Sequence, residues 1–215
     1  MNPTQAPNRC RLVLIAPPSS SPERVLSALA GGDVASLILP QGEIDDATFQ
    51  SFAEKIVPAA QQEGVAVILA GEPRIAARVH ADGIHVEGSK DTIGDLIEKH
   101  QGKMMVGSGG VTTRDDALEL GELQPDYIFF GRFNYDNKPE PHPRNLKLGG
   151  WWSEMVEVPC IVLAGSTIES VIDVAAAGVD FVAVSAAVYG DGIDPAVAVA
   201  RANALLEEQA PQFES

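Results

Sequence analysis

Eight short apolar runs recur along the chain, at residues 12–16, 36–39, 65–69, 83–86, 104–107, 127–130, 160–163 and 181–184. Most are continuous rather than alternating. Such runs suit strands buried on both faces, the pattern of a parallel sheet covered on each side. Helix-like segments with recognisable starts lie between them. Ser21 reads as an N-cap with Pro22 at the first helical position and Glu23 in the first turn. Thr112 or Thr113 caps the segment that follows them. Ser166 or Thr167 opens another, which ends at Gly178.

Strand and helix thus alternate over the whole length, which implies parallel strands joined by right-handed crossovers. Eight such units in 215 residues, 45% of them apolar, fit one compact (β/α)8 TIM barrel. The expected division is an N-terminal extension over 1–10 and the barrel over 11–210. The rival is an open doubly wound sheet, which often carries a Gly-x-Gly-x-x-Gly turn after its first strand. Here Pro17-Pro18-Ser19-Ser20 follows the first run, so the barrel is favoured.

The formal charge of −15 argues against nucleic acid and against an anionic membrane surface, since both are bound by clustered Lys and Arg. Cys10 and Cys160 match no metal or redox spacing, which suits a reduced compartment. The first apolar run is too short for a signal peptide or a membrane span. A cytoplasmic location is expected.

Against that acidity, the stretch after the sixth run stands out: GRFNYDNKPEPHPRNLKLGGWW, residues 131–152. Its 131–147 part holds Arg132, Lys138, Arg144 and Lys147 against Asp136 and Glu140, a local surplus of +2. Long loops in compact domains are commonly functional, and barrel enzymes work at the loops that follow their strands. A positive, proline-stiffened loop there suits an anion. His142, between two prolines, is a weaker ligand candidate, and Trp151 and Trp152 are expected to begin the following helix.

Small-residue turns after runs seven and eight supply a second clue. Ala164-Gly165-Ser166 opens one helix, and Ser185-Ala186-Ala187 opens a short extra one ending near Gly190. Such turns let backbone N–H groups approach a ligand closely, and barrels most often bind phosphate at these two loops.

Three stretches carry a family resemblance: ADGIHVEGSKD (81–91), PDYIFFGRF with the following NKP (125–139), and VPCIVLAGSTIESVIDVAAAGVDFVAVSAAVY (158–189). They resemble thiamine phosphate synthase and its relative, the thiazole tautomerase. The resemblance implies a transferase of thiamine biosynthesis that joins a pyrimidine diphosphate to a thiazole phosphate. Pyrophosphate leaves first, and the thiazole nitrogen captures a stabilised pyrimidine cation. It also implies a phosphate site at Gly165, Ser166, Val184, Ser185 and Ala186. Lys138 corresponds to the catalytic lysine that grips pyrophosphate, with Arg132, Pro139 and Arg144 in the ligand loop.

The departures are specific. The family's Gln-x-Arg-x-Lys cluster is replaced by Leu39-Pro40-Gln41-Gly42-Glu43, and its Asn-Asp pair after strand three by Ala70-Gly71. Its His-Leu-Gly-Gln motif reads His85-Val86-Glu87-Gly88, with Lys90 at the spacing of the second Mg2+ carboxylate. Glu87 or Asp91 could offer Mg2+ an oxygen, though outside the family's usual places, and Asp91 otherwise reads as a first-turn helix acid. The tautomerase histidine after strand five has no counterpart in GSGGVTT (107–113). Mg2+ is the one cofactor implied, weakly bound, and no organic cofactor is expected. Three readings stay open: a synthase, a non-catalytic binder of a thiazole or thiamine phosphate, and an isomerase on the same scaffold. A homodimer is compatible with each.

Overall fold

The computed structural model describes residues 7–213. Eight parallel strands close into a barrel: β1 (Arg11–Ile15), β2 (Ser36–Pro40), β3 (Ala66–Ala70), β4 (Gly83–Val86), β5 (Met105–Gly109), β6 (Tyr127–Phe130), β7 (Cys160–Leu163) and β8 (Phe181–Val184). Each pairs with the next. β8 returns to β1 with Leu12 opposite Val182 and Leu14 opposite Val184.

The continuous apolar runs are explained by two cores on opposite faces of the same sheet. Val13, Ile15, Ile38, Ile68, Tyr127, Phe129, Ile161, Leu163 and Ala183 fill the barrel interior. Their sequence neighbours, such as Leu12, Leu14, Leu37 and Val162, face the helices. Burying each large apolar side chain stabilises the fold by roughly 1.5–3 kcal/mol.

The helices are α1 (Pro22–Ser27), α2 (Asp46–Gln62), α3 (Pro73–Val79), α4 (Lys90–His100), α5 (Arg114–Gly121), α6 (Pro143–Met155), α7 (Val171–Ala175), α8 (Ala186–Tyr189) and α9 (Pro195–Gln209). Ser21 caps α1 with its side chain on the Arg24 N–H and Pro22 at the start, and Thr113 caps α5. Thr167 precedes a 3-10 turn (Ile168–Ser170) that leads into α7. The short helix after β8 is α8, with Gly190 as its C-cap.

Two expectations change. Trp151 and Trp152 do not begin the helix after the long loop. α6 starts eight residues earlier at Pro143, with His142 as N-cap accepting from the Arg144 N–H. Pro143 is pre-organised for a first helical position, and Arg144 and Lys147 are therefore helical rather than loop. Trp152 is fully buried and donates from its indole to the Val158 carbonyl at 2.7 Å. The packed unit also reaches past 11–210. Arg9 and Cys10 are buried, Arg9 pairs with Glu207, and residues 8–9 pair with 212–213. Residues 1–6 of the expected extension lie outside the described residues.

Candidate functional site

The long loop spans 131–142 and is clasped onto the turns after β7 and β8. The Lys138 carbonyl accepts from the Ser166 N–H at 2.7 Å, and the Pro139 carbonyl accepts from the Thr167 hydroxyl at 2.9 Å. The Asp136 carboxylate accepts from the Ala186 N–H. Gly165 makes this closeness feasible: a Cβ there would lie 2.0 Å from the Pro139 oxygen. The Gly165 N–H itself donates to the Ser170 hydroxyl at 3.0 Å.

The sequence-derived phosphate residues therefore do come together with the loop, but their donors are engaged. Gly165, Ser166 and Ala186 each give their N–H to an internal acceptor, and that of Ala186 is an anion. Val184 and Ser185 are buried beside them. Lys138, Pro139 and Arg132 are exposed on the loop. Arg132 holds its guanidinium over the Tyr135 ring, 5.1 Å from the centroid. Arg144 stands in the first turn of α6 rather than in the loop, because Pro143 and the His142 cap start the helix before it. Among the described residues, none of Arg132, Lys138 and Arg144 has an acidic partner within ion-pair distance.

At the barrel mouth, His85 projects inward from β4. Its Nδ1 lies 3.0 Å from the Tyr127 hydroxyl, and its Nε2 is buried with no hydrogen-bond partner, 3.6 Å from Glu87 Oε1. Burial pushes the Tyr127 phenol pKa above its ordinary range, so this hydroxyl keeps its proton. The hydroxyl can donate to Nδ1, the arrangement that leaves an Nε2 proton facing Glu87. The nearby imidazole, helped by Arg132, holds the Glu87 carboxyl below the usual glutamate range, against the opposing effect of partial burial. The His85 ring packs edge-on to Phe129 and Phe133, which stack on each other at 5.3 Å.

Glycine on β5 makes room for this arrangement. A Cβ on Gly107 would fall 1.9 Å from the Tyr127 ring, so no other residue fits there without moving the tyrosine. Sequence reasoning gave His85 no partner and Tyr127 no role. The signal available was parity: positions 83, 85 and 87, and 107 and 109, share the inward face of neighbouring strands.

The site fits Mg2+ poorly. A Cβ on Gly71, where the family has a carboxylate, would lie 2.6 Å from Gln41 Oε1 and 2.9 Å from the Phe49 ring. Gln41 is held there by donating to Ile44 O and Asp46. Lys90 begins α4, with its ammonium 2.8 Å from Glu122, and Asp91 sits in the same first turn. Among the described residues, no three His, Cys, Asp or Glu side chains group as a metal site.

The sequence matches the thiamine monophosphate synthase family over residues 12–188. It is 36% identical to a thiamine-phosphate synthase of Rhodospirillum centenum, over 92% of this chain and 98% of that protein. A thiamine-phosphate synthase of Hyphomonas neptunium is 31% identical, over 94% of this chain and 96% of the other. The thiamine phosphate pyrophosphorylase of Pyrococcus furiosus has the same fold, with a TM-score of 0.78 at 20% identity, covering 94% of this chain and 97% of its own.

Proposed function

Since the chain belongs to the thiamine monophosphate synthase family, we propose that it joins a pyrimidine diphosphate to a thiazole phosphate and releases pyrophosphate. The carrying observation is the convergence of the Lys138 loop on the turns after β7 and β8. Full-length likeness to synthases favours this reading over a non-catalytic binder.

The bond between the pyrimidine methylene and the diphosphate oxygen breaks heterolytically, and its electron pair leaves with pyrophosphate. The thiazole nitrogen then forms the new C–N bond with its own lone pair. Lys138, exposed and without an acidic partner, is placed to meet oxygens that gain charge as pyrophosphate departs. Arg132 and Arg144 add positive potential at the same end of the barrel. The thiazole phosphate takes the seat at Gly165, Ser166, Val184, Ser185 and Ala186, where the Asp136 carboxylate marks one donor as suited to an anion.

The residues here do not fit the family's Mg2+ arrangement. The ligand-free protein binds Mg2+ weakly in this reading, because Gly71 and Lys90 stand where the family has carboxylates. The reading carries with it a cytoplasmic protein, with a homodimer the assembly expected of so small a barrel. Among the described residues, no helix is long and apolar enough to cross a membrane. The test is a joining assay with both substrates, with and without Mg2+. Product and pyrophosphate in equal amounts are expected. Binding of both substrates with no product at any Mg2+ concentration would refute synthase activity.

A further inference from the structure

Glu87 stands where the family motif has glycine, and its surroundings are built for it. It follows β4 on the inward side of the strand and reaches within 3.6 Å of the buried His85 Nε2. Nε2 has no hydrogen-bond partner, and the ring is held from behind by the Nδ1 contact to the Tyr127 hydroxyl. On its other side Glu87 lines a cavity of about 340 Å3 between the ends of β4 and β5 and helices α4 and α5, where Lys90, Asp116 and Glu119 also stand. Gly110 adopts a φ of 82°, a conformation that favours glycine, beside the Glu87 carboxyl. Among the described residues, the His85 imidazole is the one basic group within 4 Å of this carboxylate.

A half-exposed carboxylate beside stacked aromatic rings suits one chemical class: a flat heteroaromatic ring that carries positive charge and an amino group. The partly buried Phe133 ring, backed by the buried Phe129 and His85 rings, offers its exposed side to such a ring. The carboxylate offers counter-charge and a hydrogen-bond acceptor.

Resting on the synthase reading, we propose that Glu87 is the counter-charge for the pyrimidine cation of the joining step. Its place in this chain is secured by the Tyr127–His85 pair. As the methylene–oxygen bond breaks, positive charge spreads from the methylene carbon into the ring and its amino group. Glu87 faces that charge while Lys138 faces the departing pyrophosphate. The ring is neutral before ionisation, so the contact strengthens in the transition state and little before it.

The test uses Glu87→Gln, which keeps shape and removes charge, and Glu87→Gly, which restores the family residue. For Glu87→Gln, kcat is expected to fall about tenfold to a hundredfold, with KM for the pyrimidine diphosphate within about twofold. In calorimetry, thiamine monophosphate, whose thiazolium is permanently charged, is expected to bind Glu87→Gln about tenfold more weakly. Thiazole phosphate, with its neutral ring, is expected to bind both proteins alike. An unchanged kcat, or equal loss of both ligands, would overturn the proposal. Thermal melting of both variants separates these outcomes from misfolding. A wild-type protein that joins no substrates would overturn the synthase reading instead, and the calorimetric comparison would still decide whether Glu87 is a cation seat.

Discussion

If the ligand phosphate takes the Ala186 N–H, the Asp136 carboxylate must leave it, since two anions cannot share one donor. The perturbation that exposes this competition is Asp136→Ala. Asp136 is buried, and its bond to the Ala186 N–H joins segments 50 residues apart in sequence. Charge-assisted hydrogen bonds contribute about 1.5–3 kcal/mol. Removing the internal anion should therefore tighten phosphate binding by about tenfold to a hundredfold. The loop itself should stay in place, because the Ser166–Lys138 and Thr167–Pro139 bonds do not involve the Asp136 side chain. Asp136→Asn, which retains a neutral acceptor, should give a smaller gain. Calorimetric titration with thiazole phosphate, and with inorganic phosphate as a control for the seat alone, measures the effect. Unchanged or weaker binding in Asp136→Ala would refute the competition and leave Asp136 as a fastener of the loop.

Lys138→Ala should weaken binding of phosphorylated ligands by roughly tenfold to a hundredfold while the dephosphorylated thiazole barely notices; equal loss for both in the same titration would mean the loop charge serves solubility alone. The thiols give a pH prediction. Burial, helped by Asp180, pushes the Cys10 thiol up to about 12, and burial raises Cys160 as well. An unfolded thiol ionises near 9 while the native ones hold their protons. The unfolded state then binds fewer protons, so stability should fall as pH rises through roughly 9–12. Urea midpoints between pH 8 and 10.5 should decline, and the Cys10→Ala, Cys160→Ala double variant should show a shallower decline.

The barrel was legible because its strands are buried on both faces. The runs at 83–86, 127–130, 160–163 and 181–184 coincide with β4, β6, β7 and β8, and the other four differ by a residue or two at their ends. The caps at Ser21 and Thr113 were legible for a local reason: the side chain that starts each helix bonds an N–H three residues on. The start of α6 was not, since Pro141 and Pro143 read equally well as loop stiffeners. The loop after β6 and the two small-residue turns that it meets could be picked out from the chain. What lay beyond reach were contacts across the barrel: Asp136 on Ala186, and Tyr127 on His85 at 42 residues' separation. Those depend on which side chains face inward at the same height, which a linear reading of apolar runs does not supply.

The two ends of the described chain meet. Arg9 bridges Gln212 in antiparallel fashion, the Asn8 side chain donates to the Phe213 carbonyl at 3.0 Å, and the Phe213 N–H returns to the Asn8 carbonyl at 3.1 Å. Through these hydrogen bonds the described chain almost closes on itself at the entrance to β1, at the end of the barrel away from the mouth. A few residues could join the two ends there, and the chain could be reopened at another turn on that same end. Gly64, between α2 and β3, is such a turn, with open space where a side chain would stand. The order in which the eight units are synthesised is thus separable from the order in which they sit around the barrel.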